Sequence, residues 1–180
     1  MRWLISLLLY SVLCAGCSLP LAQNNENVLA PELVPSALFN IRIERWGTQQ
    51  LSGLLALRDR PAGFSYVLLD ATGMKLLEGE INRENDSANL PFGGILKESG
   101  VAVFFTQSLE RIFLYEPSKK PCARSWLLQF CSEKEKGHTW YKTARFWPFT
   151  LWRAEGKGEM IQYSQPWLGV TLYLKNIRQN

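Results

Sequence analysis

The sequence FNIRIE at residues 39–44 decides the fold class. Apolar and polar side chains alternate through it, with Phe39, Ile41 and Ile43 as the apolar set. A period of two is typical of a strand that buries one face, because successive strand side chains point to opposite sides. Outward from it, similar extended segments occur at residues 50–58, 63–69 and 74–82, and DATG at residues 70–73 predicts a hairpin turn between the last two.

A different period follows at residues 99–115. There the apolar residues recur at spacings of three and four, so they share one face of a predicted helix. They are Val101, Phe104, Phe105, Leu109, Ile112 and Phe113. The remaining sequence predicts strands again, at residues 125–132, 139–143, 149–154, 159–163 and 170–177. We therefore expect a mainly β domain of eight or nine strands, in which one helix covers a face of a long antiparallel sheet.

The composition fits one folded domain, which we assign to residues 37–180. The chain has 180 residues, of which 47% are apolar and 12% aromatic, enough to bury a single sizeable core. The formal net charge is +4, and Lys and Arg are scattered rather than arranged in a basic stripe. Nucleic-acid binding is therefore not expected.

Residues 1–16 are predicted to be an export signal. Arg2 precedes an apolar run at residues 3–15, which is too short to span a bilayer as a permanent helix. The run ends in LCAGC at residues 13–17, and the small residues before Cys17 resemble the lipobox of bacterial lipoproteins. That resemblance implies cleavage before Cys17, which would carry three acyl chains and hold the protein on a membrane.

The residues that follow Cys17 set the expected location. Ser18 stands where an Asp would favour retention in the inner membrane. The resemblance therefore implies a lipid anchor on the periplasmic face of the outer membrane of a Gram-negative bacterium. Residues 17–36 combine three prolines with a polar run, which predicts a flexible tether between the lipid and the domain.

Several strand segments resemble the LolA/LolB-like lipoproteins. GLLAL at residues 53–57, FSYVLLD at 64–70 and GMKLL at 73–77 look like their early strands, and PWLGVTLYL at 166–174 resembles the last strand of an uncharacterised LolB-like family. The resemblance implies an unclosed half-barrel with a helical lid. Its concave apolar side would bind the acyl chains of a lipid or lipoprotein during envelope transport or assembly.

Within that expectation, alternating residues of the early strands and one face of the helix supply the apolar ligand-binding surface. The strand residues are Ile41, Ile43, Leu55, Leu57, Phe64, Tyr66 and Leu68, and the helix residues are Phe104, Phe105 and Leu109.

A set of aromatic residues leaves two functions open. Its members either line a ligand cavity or form a filled core: Phe64, Tyr66, Trp126, Trp140, Trp147, Trp152 and Trp167. A cavity favours an acyl-chain carrier. A filled core favours a structural or accessory lipoprotein that acts through an envelope protein partner.

Enzymatic motifs are absent from the sequence. His138 is its only histidine, which excludes an H-E-x-x-H zinc site, and no G-x-S-x-G or S-x-x-K motif occurs. Glu78 and Glu80 share one strand face, where we expect them to be solvent-facing. We therefore expect no enzyme activity, no metal site and no cofactor.

Cys122 and Cys131 form a candidate disulfide. An oxidising compartment favours the bond, whereas nine residues of straight strand would separate the two by about 30 Å, too far for a disulfide. The bond therefore requires the chain to turn back between them, and the sequence leaves both outcomes open.

Overall fold

The structure, a computed structural model, describes residues 37–61, 63–82, 91–135 and 139–177. The predicted export signal, Cys17, the tether and His138 lie outside the described residues. In the described part, no helix has the length and apolar character needed to cross a membrane.

Within the described residues, eleven antiparallel strands form one sheet, and a single α-helix accompanies it. The strands are β1 (Ala37–Arg45), β2 (Thr48–Arg60), β3 (Gly63–Asp70), β4 (Lys75–Asn82), β5 (Pro91–Gly93), β6 (Cys122–Ser125), β7 (Leu128–Glu135), β8 (Thr139–Phe146), β9 (Phe149–Lys157), β10 (Met160–Gln165) and β11 (Val170–Asn176). The helix α1 (Gly100–Phe113) lies between β5 and β6 in the chain, and a 3₁₀ turn at Pro166–Leu168 connects β10 to β11.

The sheet is open. Its strand order is β5-β4-β3-β2-β1-β11-β10-β9-β8-β7-β6, so the short strands β5 and β6 form its two edges. β1 pairs with β11 and thereby joins the two halves of the chain at the centre of the sheet. The expected mainly β fold, with one helix and an unclosed antiparallel sheet, is confirmed.

The predicted number of strands was wrong, and so was the single strand at residues 125–132. The chain reverses at Trp126 and Leu127, which separates β6 from β7. Trp126 adopts a φ of 46° there, a left-handed conformation that is rare for a bulky residue. Because no Gly, Asn or Pro signals this turn, the sequence pattern could not reveal it.

This hairpin brings Cys122 and Cys131 opposite each other. The two residues are register partners in the β6–β7 pair, their Cα atoms are 4.1 Å apart, and their sulfur atoms form a disulfide. The bond therefore holds edge strand β6 to the rest of the sheet.

Helix α1 begins and ends close to its predicted limits. The hydroxyl of Ser99 accepts a hydrogen bond from the backbone N–H of Ala102, which satisfies one of the unpaired donors of the first turn. At the other end, the N–H of Leu114 donates to the carbonyl of Glu110 at 2.8 Å.

The sheet curves around α1. The Phe113 ring packs on Phe64 of β3, with 5.7 Å between centroids, and the neighbouring carbonyl of Ile112 accepts a 3.0 Å hydrogen bond from Lys142 of β8. Six strand spacings separate β3 from β8 in the sheet order. On a flat sheet this is about 29 Å, more than two adjacent helix residues can span. We call the sheet face that α1 covers the concave face.

Alternate strand residues fill the space between the concave face and α1. The buried apolar residues form one cluster: Ala37, Phe39, Ile41, Ile43, Leu55, Leu57, Phe64, Tyr66, Leu68, Leu77, Ile81, Ala102, Phe105, Leu109, Ile112, Ala144, Trp152, Ala154, Tyr163, Leu172 and Leu174. Gly79 is required within it, because the Tyr66 ring occupies the space that a Cβ at position 79 would take.

Candidate functional site: the concave face beneath the helix

All ten predicted ligand-binding residues lie in or against the buried cluster of the concave face. Nine are buried, namely Ile41, Ile43, Leu55, Leu57, Phe64, Tyr66, Leu68, Phe105 and Leu109, and Phe104 is half-buried. The structure therefore brings the predicted set together, and each member contacts other side chains of this chain. Their contact with an acyl ligand stays a prediction.

The half of the concave face formed by β1 to β4, here the aliphatic half, is closely packed. Phe113 lies between Phe39 and Phe64, at 6.1 and 5.7 Å between ring centroids. Phe105 meets the edge of the Tyr66 ring at 5.7 Å and has no exposed surface. The apolar face of α1 thus occupies the space above these strands.

A buried hydrogen bond fixes the helix to the aliphatic half. The hydroxyls of Tyr66 and Thr106 are 2.6 Å apart, and both residues are buried. Burial raises the pKa of Tyr66 above its ordinary value, so the phenol stays neutral. The pair satisfies two polar groups that would otherwise be unpaired inside the core.

The other half, formed by β7 to β10 and here called the aromatic half, contains larger and more polar side chains. Trp152 packs at 5.5 Å from Phe130 and at 6.0 Å from both Tyr163 and Tyr115. Phe104 of α1 reaches Tyr163 at 6.3 Å. Because Phe104 is half-buried, this part of the helix contact retains accessible apolar surface.

Polar groups converge on the hydroxyl of Tyr163. Arg111 donates to it at 2.8 Å and Gln165 at 2.7 Å, while the guanidinium of Arg111 lies 5.7 Å from the Trp152 ring. In the described part of the chain, no carboxylate pairs with Arg111. Its remaining N–H donors suit a carboxylate or phosphate.

Lys142 attaches the C-terminal end of α1 to the aromatic half. Its ammonium donates to the carbonyls of Ile112 and Tyr115 at 3.0 and 2.9 Å and lies 2.9 Å from a carboxylate oxygen of Glu116. Burial lowers the pKa of Lys142, and the opposing attraction of Glu116 offsets part of that effect. The ammonium thus donates hydrogen bonds to carbonyls at the end of the helix that lack intrahelical partners.

Sequence reasoning missed the polar part of the aromatic half. Lys142 alternates with Trp140 and Ala144 along β8, and this spacing places all three on the same face. A lysine is rarely buried, so the alternation did not single out Lys142 as part of this face. Neither Arg111 nor Gln165 carries a motif; their meeting at Tyr163 depends on the curvature of the sheet.

The predicted aromatic set divides between two environments. Phe64, Tyr66, Trp140 and Trp152 are buried or half-buried within the cluster, whereas Trp126, Trp147 and Trp167 are exposed. The core alternative was therefore wrong for the last three, and none of them lies on the concave face. They lie in connections between strands, where the alternation that predicts buried positions within a strand does not apply.

No metal-binding cluster accompanies these features in the described ranges. None of the His, Cys, Asp and Glu side chains described forms a group of three that could hold a metal ion. Glu78 forms a 2.6 Å ion pair with Lys75 and, like Glu80, is partly exposed.

Comparisons with protein-family models, curated proteins and solved structures found no match to this chain.

Proposed function

We propose that this protein is a lipid-anchored lipoprotein of the outer membrane that binds acyl chains of a lipid or lipoprotein on its concave face. Its role would be the transport or assembly of envelope lipids or lipoproteins, without a chemical step. The observation that carries the proposal is an open, curved sheet whose apolar concave face is covered by one helix.

Helix α1 is the element that moves when a ligand enters. The acyl chain takes the place of apolar α1 side chains against the concave face, so the strand residues exchange one set of apolar contacts for another. Burying a chain of sixteen carbons contributes about 12 kcal/mol at about 0.8 kcal/mol per CH₂, and each large apolar side chain of the helix contributes about 2 kcal/mol. Release of five such side chains therefore costs an amount similar to what the ligand supplies, so the apolar part of the exchange is close to balanced.

The aromatic half provides a place for the polar end of the ligand. Arg111 holds a cationic group beside Tyr163 and Trp152, next to the half-buried ring of Phe104. A fatty-acid carboxylate or a lipid phosphate would pair with this guanidinium while its acyl chain follows the aliphatic half.

The resemblance to LolA/LolB-like lipoproteins supports the same function, because it implies an unclosed half-barrel with a helical lid. Cys17 would supply the membrane anchor, through residues 17–36 as a tether.

A second function has its own supporting observation. Leu55, Phe105 and Leu109 have no exposed surface, which is what a permanently filled core requires. In that case the protein is an accessory envelope lipoprotein that acts through a protein partner and binds no acyl ligand.

Lipid extraction separates the two functions. The full chain is purified, its noncovalent lipid is extracted into organic solvent, and the amount per protein is measured by mass spectrometry. Binding on the concave face predicts a reproducible ratio that falls several-fold in Phe104→Ala, because the half-buried Phe104 contacts the ligand. Val103→Ala, on the exposed side of the same helix, should keep the wild-type ratio. Absence of copurified lipid, with normal folding, would leave the accessory function.

A further inference from the structure

One end of the sheet carries an exposed tryptophan in each of four neighbouring connections. β1–β2, β10–β11, β8–β9 and β6–β7 all turn at this end, because adjacent strands run in opposite directions. We call these four residues the tryptophan rim: Trp46, Trp167, Trp147 and Trp126. The rim accounts for four of the seven tryptophans in the sequence.

The rim side chains are far more exposed than is usual for tryptophan. Trp126 is 87% exposed, Trp147 71%, Trp46 70% and Trp167 58%. Further large apolar residues are exposed beside them: Leu128, Phe146, Phe149 and Leu168. Large apolar side chains exposed together at one end of a sheet are typical of a surface that contacts a membrane or another protein.

Backbone and side-chain hydrogen bonds tie neighbouring connections of the rim together. The N–H of Trp46 donates to Gly169 at 2.7 Å, and the N–H of Trp147 donates to Leu127 at 3.0 Å. The indole N–H of Trp167 donates to the carbonyl of Thr150 at 3.0 Å. The rim is therefore one connected structure rather than four independent loops.

Two members of the rim have an unfavourable backbone conformation. Trp46 has a φ of 52° and Trp126 a φ of 46°, and they are the only non-glycine residues of the described part with positive φ. Bulky side chains seldom adopt this region. Both residues are the first residue of a two-residue hairpin loop, between the register partners Arg45 and Thr48 and between Ser125 and Leu128. Such loops require positive φ at that position, and at both the side chain is a tryptophan exposed to solvent.

The charge of the rim is positive. Arg45, Arg124 and Arg145 are exposed beside it, and no carboxylate of the described residues forms an ion pair with them. No Asp or Glu occurs in the four rim segments, residues 45–48, 124–129, 145–151 and 164–170. Arg124 and Arg145 also line a groove of about 180 Å³ between Trp126 and Trp147.

We propose that the tryptophan rim docks the protein onto a membrane surface that contains anionic phospholipid. Indole rings favour the interface between headgroups and acyl chains, where the apolar ring and its N–H are both accommodated. Exposed arginines attract anionic headgroups, and the groove between Arg124 and Arg145 suits a headgroup phosphate. The absence of acidic residues from the rim segments matches such a surface.

The rest of the chain permits this orientation. β1 begins at the end of the sheet opposite the rim, and its nine residues span about 30 Å. The twenty residues at positions 17–36 can extend over at most about 70 Å, so an anchor at Cys17 lets the rim reach the same membrane. The proposal does not depend on acyl binding by the concave face.

Fluorescence quenching tests the proposal on the full chain reconstituted in vesicles. The vesicles contain phosphatidylethanolamine with a quarter phosphatidylglycerol, and their acyl chains are either brominated or unmodified. Bromine quenches a tryptophan that inserts beside it. Replacing one rim tryptophan with Phe removes the emission of that tryptophan. Because bromine already quenches this emission in brominated vesicles, the emission lost on replacement should be at least twofold smaller there than in unmodified vesicles. Each of the four rim tryptophans is replaced singly.

Two controls keep the test decisive. Trp140→Phe and Trp152→Phe remove tryptophans of the buried cluster and should lower emission by the same fraction in both kinds of vesicle. Arg124→Gln with Arg145→Gln should reduce quenching of the rim, as should replacement of phosphatidylglycerol by phosphatidylcholine. If rim and buried tryptophans are quenched alike in folded protein, the membrane proposal is overturned, and a protein partner becomes the occupant of the rim.

Discussion

The concave face and the tryptophan rim are both rich in aromatic residues, but the concave face buries aromatic side chains whereas the rim exposes them. On the concave face, Tyr66, Trp152 and Tyr163 are buried, and the hydroxyls of the two tyrosines have hydrogen-bond partners inside the protein. On the rim, Trp126 and Trp147 are exposed. The difference teaches that position within the strand register, rather than aromatic content, decides whether a ring stabilises the fold or serves a surface.

Core truncation should give the largest effect on this comparison. Phe105→Ala removes a fully buried ring between α1 and Tyr66. We expect it to lower the free energy of unfolding by about 3 to 5 kcal/mol, from lost burial and the cavity that remains. Urea denaturation followed by circular dichroism measures the change. Val103→Ala, on the exposed side of α1, should alter it by less than about 0.5 kcal/mol; a similar loss in both variants would contradict the packing described.

Removal of the Lys142 ammonium should have the next largest effect. Lys142→Met leaves Glu116 and the carbonyls of Ile112 and Tyr115 without this donor, and breaking such a buried pair costs about 3 kcal/mol. Lys175→Met, at an exposed position, is the control and should be close to neutral.

The same variant has a predicted pH dependence. Burial lowers the pKa of Lys142 in the folded protein, whereas the unfolded chain has a lysine pKa of about 10.4. Between these two values the unfolded state binds more protons, so raising the pH increases the stability contributed by this group. The difference in unfolding free energy between wild type and Lys142→Met should therefore widen from neutral pH towards pH of about 10. A constant or narrowing difference would contradict this assignment.

Loss of the disulfide should have an intermediate effect. Replacement of both Cys122 and Cys131 by Ser opens a short loop closed by residues nine apart and should lower the unfolding free energy by roughly 2 kcal/mol. Because the bond holds the hairpin that presents Trp126, quenching of Trp126 in brominated vesicles should fall while quenching of Trp46 persists. Equal loss at both would show that the rim depends on global stability.

Substitution on the rim should have the smallest effect on stability. Trp126→Gly removes an exposed ring and places glycine at a φ of 46°, a conformation that glycine adopts readily. We expect thermal unfolding to stay within about 0.5 kcal/mol of wild type, or to improve, while membrane contact weakens. A large destabilisation would assign Trp126 to the fold rather than to a surface.

The sequence predicted those parts of the fold that depend on local periodicity. Alternation at Phe39, Ile41 and Ile43 located β1 and its buried face, and spacings of three and four located α1. Seven strand positions proposed for ligand binding follow from the same alternation and are buried together.

The remaining features depend on which strands become neighbours. The rim forms because four connections turn at the same end of the sheet, and the site at Tyr163 forms because curvature brings Arg111 of α1 against β10. Residues far apart in sequence meet in both cases. The hairpin turn at Trp126, with its positive φ, has no signal in the amino-acid composition. The alternation of residues therefore predicted one strand where the structure has β6 and β7.

Photo-crosslinking tests most directly whether acyl chains bind on the concave face. The full chain is irradiated with a fatty acid that carries a diazirine in the middle of its chain, and the modified peptides are mapped by mass spectrometry with and without excess palmitate. We predict adducts on α1 and on the facing strands β3 and β10, near Phe104, Tyr66 and Tyr163, which palmitate suppresses. Adducts confined to the tryptophan rim, or adducts on α1 that palmitate does not reduce, would contradict acyl binding by the concave face.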